Sequence, residues 1–194
     1  MDILFILDPF DSLKPKKETS IAMMRAAVAR GHRVFGCLQG DISLDQGKVT
    51  ARVTPLELTG ELSPWYKAGE VHTEPLSAFD AVLMRKDPPF DMEYVYSTYM
   101  LERAVEQGAR VYNNPAAIRD HNEKFSITAY PQLTTDVMVT RDPARLREFV
   151  ARHGEAVLKL LDGMGGASIF RARQDDPNLS VILETMNRFG TRTV

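Results

Sequence analysis

The stretch Ala156-Val-Leu-Lys-Leu-Leu-Asp-Gly-Met-Gly-Gly-Ala-Ser-Ile-Phe170 decides how this chain is read. It runs strand, glycine loop, strand, with the strands expected at Val157–Leu160 and Ser168–Arg171. Lys159 falls inside an otherwise apolar strand, where an unpaired ammonium is costly to bury. Gly163, Gly165 and Gly166 follow within a few residues. Without a Cβ in the way, the backbone N–H groups of such a loop can come close to an anion. A strand lysine followed by a glycine loop therefore has the parts of a phosphate-binding flap: a point charge and a segment that closes over it. Taken alone, the run is equally compatible with a hairpin turn beside a solvated lysine. It matches neither Gly-x-x-x-x-Gly-Lys-Ser/Thr nor a Gly-x-Gly-x-x-Gly run opening a helix.

Working outward, the 194 residues suffice for one large or two small domains with a real core. Apolar residues make up 44% and charged residues 26%, the balance of a globular protein. A net charge of −2 argues against a nucleic-acid binder or a membrane-surface protein. No apolar stretch is long enough to span a bilayer. Met1-Asp-Ile-Leu-Phe-Ile-Leu7 carries an acid and no basic residue, so it reads as a first strand and not as a signal peptide. The single cysteine, Cys37, cannot form an intrachain disulfide, and it fits a reducing, cytoplasmic setting. Lying in the apolar strand Val34–Leu38, it reads as a buried thiol. His32, His72, His121 and His153 show no short metal-ligand spacing.

Strand and helix alternate through the first part. Ile3–Leu7 and Arg33–Leu38 are expected strands around a helix from Thr19 or Ser20 to Arg30, with Gly31 ending it. Residues 41–59 read as a hairpin around Asp45-Gln-Gly-Lys48, and 60–78 as loop. A strand at Ala81–Met84, a helix Met92–Gln107 and a strand Val111–Asn113 complete an α/β layer lobe built on a parallel sheet. Domain 1 is expected to cover residues 1–120 and domain 2 residues 121–194. The second contains a short helix Glu123–Tyr130, a strand Val137–Thr140, a helix begun by Asp142-Pro143 and ended by Gly154, the glycine hairpin, and a helix Leu179–Phe189. Thr191–Val194 looks like the beginning of a strand, so the second lobe is expected to be incomplete at its C-terminus.

Three further segments could carry chemistry. Met84-Arg-Lys-Asp-Pro-Pro-Phe-Asp91 follows a strand, and ligands of open α/β sheets gather at the carboxyl ends of strands. Arg85 can grip a carboxylate with its fork, and Pro88 and Pro89 stiffen the loop. Asn113–Lys124 ends in Lys124, whose ammonium can reach a phosphate. Asp8–Ser20 leads into a helix N-terminus, where Lys17 and Ser20 can face an acid group. Each can also be plain solvated surface, which is the better reading for Lys14 and Lys16.

Together the segments resemble the bacterial glutathione synthetases of the ATP-grasp superfamily. The resemblance rests on Met84-Arg-Lys-Asp-Pro-Pro-Phe-Asp91, Arg119-Asp-His-Asn-Glu-Lys-Phe125 and Leu158-Lys-Leu-Leu-Asp-Gly-Met-Gly-Gly-Ala-Ser-Ile-Phe170. Asp175-Asp-Pro-Asn-Leu179 and Gly190-Thr-Arg192 continue it, so that it covers essentially the whole chain. One departure is Leu160, where the family pattern has proline. The resemblance implies an α/β substrate domain followed by the first, incomplete α+β lobe of an ATP-grasp domain. It implies ligation of γ-glutamylcysteine to glycine with ATP and Mg²⁺ through an acyl phosphate, with no covalent nucleophile. Lys124, Lys159, Gly163, Met164, Gly165, Gly166, Ala167 and Ser168 are then the ATP-binding residues. Arg85, with Lys17 and Ser20, would bind the acid substrate. The metal ligands are expected outside these residues, and the chain alone is expected to be inactive. A cytoplasmic homo-oligomer without nucleic-acid or membrane partners follows by the same resemblance. The sequence also admits two other readings: an ATP-grasp carboxylate–amine ligase for another acid, and a non-catalytic binding or oligomerisation module.

Overall fold

The computed structural model describes residues 1–166 and 168–194. They fall into two units, Met1–Asp87 with Asp91–Asp120, and Pro88–Phe90 with His121–Val194.

The first unit is built on β1 (Asp2–Leu7). Its residues Leu4 to Leu7 are all at most 1% exposed, so both faces of the strand are covered. A continuous apolar run of this kind is the mark of a central strand in a parallel sheet. β1 pairs in parallel with β2 (Arg33–Leu38) on one side and β7 (Ala81–Met84) on the other; β7 in turn pairs in parallel with β8 (Val111–Tyr112). The four strands expected to share a sheet do so. β3 (Ile42–Asp45) and β4 (Lys48–Leu58) form the hairpin, turning at Gln46 and Gly47 with φ of 45° and 80°. Both are left-handed, as a two-residue hairpin turn requires. β4 runs antiparallel to β2, and Gly36 of β2 lies where a Cβ would come within 2.7 Å of the Phe10 ring.

Two helices complete the layer. α1 (Thr19–Val28) is capped by Glu18, whose carboxylate accepts from the Ser20 N–H at 2.9 Å. α2 (Met92–Glu106) buries Tyr94, Ser97, Thr98, Leu101 and Ala104, one stripe at helical spacing. Gly31 and Gly108, at φ of 77° and 96°, follow these helices as expected.

Two expectations for this unit are corrected. Residues 60–78 are not simply loop: β5 (Tyr66–Ala68) and β6 (His72–Pro75) both pair with β4. They are short and mostly exposed, with no apolar alternation to betray them; their conformation is set by the unpaired length of β4. Asn113-Asn-Pro115 not only breaks a strand but starts α3 (Pro115–Asp120), with the Asn114 side chain accepting from the Ala117 N–H at 3.1 Å.

The second unit has a smaller core, in which Leu146, Val150, Leu158, Ala172, Leu183 and Met186 meet. α4 (Pro143–His153) begins as expected: Asp142 accepts from the Ala144 N–H at 2.9 Å, and Gly154 follows with φ of 74°. The glycine hairpin keeps the pairing that the expected bounds imply, but both strands lie two residues farther from the loop. β9 is Glu155–Leu158 and β10 is Phe170–Arg173, with Leu158 opposite Phe170. Lys159 therefore stands just beyond a strand end and is exposed. The expected strand Val137–Thr140 does not form as a strand; Thr140 is instead tied to Val194 by two reciprocal bonds of 3.2 and 3.0 Å. The expected helix Glu123–Tyr130 is a 3-10 turn at Ser126–Ala129. Asn122 is the reason: its side-chain oxygen takes the N–H groups of Lys124 and Phe125, each at 3.0 Å, in place of a helical start. α5 (Leu179–Asn187) ends two residues early, because Arg188 and Phe189 are left-handed.

Candidate functional site

In the second unit, Lys124 and Lys159 line one hollow of about 390 Å³ with Gly163, Met164, Gly165 and Gly166. The fold brings them there from two directions. Lys159 leaves β9, whereas Lys124 arrives on the turn that Asn122 holds. Asn122 also donates from Nδ2 to the Leu161 carbonyl at 2.8 Å, stitching that turn to the segment after β9. Lys124 Nζ donates to the Gly163 carbonyl, and to Glu123 Oε1 at 2.8 Å. Among the described residues Lys159 Nζ has no hydrogen-bond or ion-pair partner. One lysine is thus tethered to the base of the loop, and the other is available to an anion.

The loop itself suits close approach. Gly165 and Gly166 are left-handed, at φ of 63° and 79°, with open space where a Cβ would be. Ser168 is also left-handed; Ala167 lies outside the described residues. The loop's first limb is anchored by Asp162, which takes Arg192 Nη2 at 2.5 and 2.7 Å and, through its carbonyl, the Phe90 N–H at 3.3 Å. Beside the hollow lies a larger one of about 700 Å³, also bounded by the two lysines, with apolar walls from Val137, Val139, Phe149 and Val157. A cationic corner against an apolar chamber can hold a ligand with a polyphosphate and a flat apolar body.

In the first unit, Arg85 follows β7 at the carboxyl end of the parallel strands. Its N–H extends the ladder by donating to the Ile6 carbonyl at 2.9 Å. Its side chain is exposed and donates from Nε to Ser20 Oγ at 3.2 Å; among the described residues the two Nη nitrogens have no partner. The open fork is what a carboxylate needs. Ser20 is fully buried at the start of α1, and Lys17 is exposed nearby in sequence, in the turn closed by Lys17 N–H to the Lys14 carbonyl at 2.8 Å. The structure therefore joins Arg85 to Ser20 and records no such contact for Lys17 among the described residues.

Around Arg85 is a polar network that sequence reading did not assign. Asp8 accepts Lys86 Nζ at 2.7 Å and the Asp87 N–H at 2.9 Å. Tyr94 Oη donates to the Lys86 carbonyl at 3.0 Å. Burial, then the charges of Asp87 and Asp8, push the Tyr94 hydroxyl up to about 12 against the pull of Arg85, so it stays a donor. The Asp87 carboxyl is held above its ordinary value by burial and by Asp8 and Glu18, opposed by Lys86 and Arg85. Asn122, Asp162 and Asp8 were the groups missed. Each works through a backbone atom or an ion pair between residues far apart in sequence, and the one available signal was its place beside a motif already singled out.

The chain's similarities agree with this division. Residues 1–119 match the family model described as prokaryotic glutathione synthetase, N-terminal domain, and residues 123–194 match prokaryotic glutathione synthetase, ATP-grasp domain. The glutathione synthetase of Ralstonia nicotianae is 53% identical over 194 residues, covering 100% of this chain and 60% of that protein. That of Pseudomonas putida is 50% identical over 189 residues, covering 97% and 60%. The chain thus spans about three-fifths of the length of these curated relatives. Among solved structures, D-cycloserine synthetase DcsG aligns with a TM-score of 0.61 at 16% identity, over 97% of this chain and 56% of that one. D-alanyl-alanine synthetase A from Vibrio cholerae gives 0.58 at 13% identity, over 100% and 58%. These two establish likeness of fold.

Proposed function

The chain belongs to the prokaryotic glutathione synthetase family, and from that premise we propose that the full-length protein ligates γ-glutamylcysteine to glycine at the expense of ATP. The observation that carries the reading is the convergence of Lys124, Lys159 and Gly163–Gly166 on one hollow. Lys159 supplies a mobile point charge to the phosphates, and Lys124 supplies a second one while holding the Gly163 carbonyl. The amides of Gly165 and Gly166, with that of Ser168, close on the same phosphates. In the first unit Arg85 takes a carboxylate of the acid substrate, with Lys17 adding positive potential and Ser20 behind it.

The chemistry balances without a covalent enzyme intermediate. A carboxylate oxygen of the dipeptide attacks the γ-phosphorus and ADP leaves, giving an acyl phosphate. The glycine amine then attacks the acyl carbon, loses a proton and expels phosphate. Positioning and charge neutralisation supply the rate. The family implies Mg²⁺ beside ATP. Among the described residues no three His, Cys, Asp or Glu side chains are grouped so as to hold a metal ion. Among the described residues no helix is long and apolar enough to cross a membrane. A cytoplasmic homo-oligomer working on these small molecules is part of the same proposal.

The test is ADP release by the full-length protein. Turnover should require γ-glutamylcysteine and glycine together. Turnover with a different acid in place of the dipeptide, and none with it, would move the protein to another carboxylate–amine ligase.

A further inference from the structure

We infer that Asp8 is a positioning residue for this reaction, fixing through Lys86 the backbone that presents the Arg85 guanidinium to the acid substrate. The inference rests on the reading of Arg85 as the carboxylate anchor.

The argument begins at the ends of two neighbouring strands. β1 and β7 run in parallel to Ile6 opposite Met84, and the Arg85 N–H adds one more rung on the Ile6 carbonyl. Beyond that rung no ladder remains to define the path of residues 86 and 87, although Arg85 must be aimed from there. Side chains take over. The Lys86 carbonyl accepts from Tyr94 Oη at 3.0 Å. The Asp87 N–H donates to Asp8 Oδ2 at 2.9 Å. The Asp87 carbonyl accepts from Lys86 Nζ at 2.6 Å, while the same ammonium sits 2.7 Å from Asp8 Oδ1. Three consecutive backbone groups are thereby pinned, and Asp8 stands at two of the contacts.

The pair is also sheltered. The Lys86 and Asp8 side chains are 18% and 24% exposed, much less than an ordinary surface ion pair such as Lys67–Glu57 at 68% and 72%. Charge-assisted bonds shielded from water hold geometry better than exposed ones. On the other side Arg85 Nε rests on Ser20 Oγ, which is wholly buried. Nε and the backbone are both fixed while the Nη fork stays unpartnered among the described residues. An anchor held in this way meets its carboxylate with little ordering left to do.

The experiment is a steady-state comparison in the full-length protein, with folding of each variant checked by thermal melting. Asp8→Asn keeps the size and an acceptor for the Asp87 N–H but loses the charge that holds Lys86. We expect KM for γ-glutamylcysteine to rise about five- to tenfold, with KM for ATP and kcat within about twofold, the pattern of lost ground-state binding. In an Arg85→Gln background, Asp8→Asn should add nothing, because residues acting through one contact are not additive. Lys86→Met, which removes the partner and leaves Asp8 in place, should reproduce the same split, and it serves if Asp8→Asn does not fold. An unchanged KM for the dipeptide in folded Asp8→Asn or Lys86→Met overturns the inference, as does an equal rise in both backgrounds. Failure of the underlying reading shows separately: Arg85→Gln by itself would then leave that KM unchanged, and the inference would fall with it.

Discussion

The two units present charge to ligands in opposite ways. In the first, Arg85 hangs from an eight-stranded sheet whose central strand is almost wholly buried, and Ser20 fixes its Nε from behind. In the second, Lys159 follows a two-stranded ribbon and leads into a loop of exposed residues from Met164 to Gly166. One cation is prearranged, and the other, although its neighbours Leu158 and Leu160 are buried, leads into a loop with little apolar burial to order it. The contrast suits the two tasks. An acid substrate that must be aligned for attack gains from a fixed fork, because ordering is then not charged against binding. A nucleotide that must enter and leave gains from a loop that closes over it.

The contrast can be broken first by amide exchange, where the expected difference is largest. Without nucleotide, amides of Gly163 to Gly166 should exchange orders of magnitude faster than those of Leu4 to Leu7, since local opening costs little where few apolar groups are buried. ATP should slow the loop and leave β1 unchanged. Equal protection of the two segments in the nucleotide-free protein would remove the distinction. Next in size is Lys159→Met. A charge-assisted contact contributes about 1.5–3 kcal/mol, so ATP affinity measured by calorimetry should fall roughly ten- to a hundredfold. Binding of the dipeptide and the melting temperature should hold. Undiminished ATP affinity in a folded variant would end the phosphate role of Lys159.

How much of this was legible in the sequence depended on the kind of signal. Strands β1, β2 and β7 were readable because buried apolar runs leave few alternatives once glycines mark the helix ends. α4 was readable because Asp142 and Pro143 are a local instruction that tertiary context had no reason to override. β5 and β6 were not, because edge strands are defined by the partner they lie against. The hairpin strands stop two residues short of the expected ends on the loop side, with their pairing unchanged, for a related reason: Leu160 is buried at 8% exposure but lies outside the ladder, so hydrophobicity did not mark the strand end. In the site, Arg85, Lys124 and Lys159 stood out as cations beside turns. Asp8 and Asn122, which hold them, make contacts across 79 and 39 residues, and Ser20, itself legible at a helix start, reaches Arg85 across 65, separations at which no local pattern reports.

Alkaline pH sharpens the comparison from the stability side. Burial raises the Cys37 thiol from 9.0 to about 12, and burial with nearby carboxylates raises the Tyr94 hydroxyl from 10.0 to about 12. Both lie in the first unit. A folded-state value above the unfolded one means that the unfolded chain ionises first. The stability present below pH 9 is then lost as pH rises toward 12, by roughly 1.4 kcal/mol per pH unit for each group once its unfolded value is passed. Between pH 9 and 10 Cys37 acts before Tyr94, so Cys37→Ala should flatten the pH dependence there. Urea unfolding at pH 7, 9 and 10, followed by exchange in β2 and in α4, measures it. An identical slope with and without Cys37 would show that the thiol is not held neutral in β2.

The smallest effect we expect tests whether the second unit rests on local instructions. Asp142 is the N-cap of α4, accepting from the Ala144 N–H at 2.9 Å, and Pro143 occupies the first helical position. Replacing such a cap by alanine costs typically about 1 kcal/mol, because one helix-end N–H loses its acceptor. Asp142 is exposed, so little packing is lost with the carboxylate. The loss should therefore be that of the cap alone, and Asp142→Asn, which keeps an acceptor oxygen, should recover most of it. α4 contributes Leu146 and Val150 to the small core shared with Leu158, the last residue of β9 before Lys159. A frayed start of α4 should consequently raise exchange at Leu158 as well as at Leu146, while Leu4 to Leu7 stay protected. If Asp142→Ala loosened β1 as much as β9, the two units would share one cooperative unfolding event. The rigid anchor and the loose grip would then be features of a single stability, and the division of labour argued from their separate cores would have to be given up.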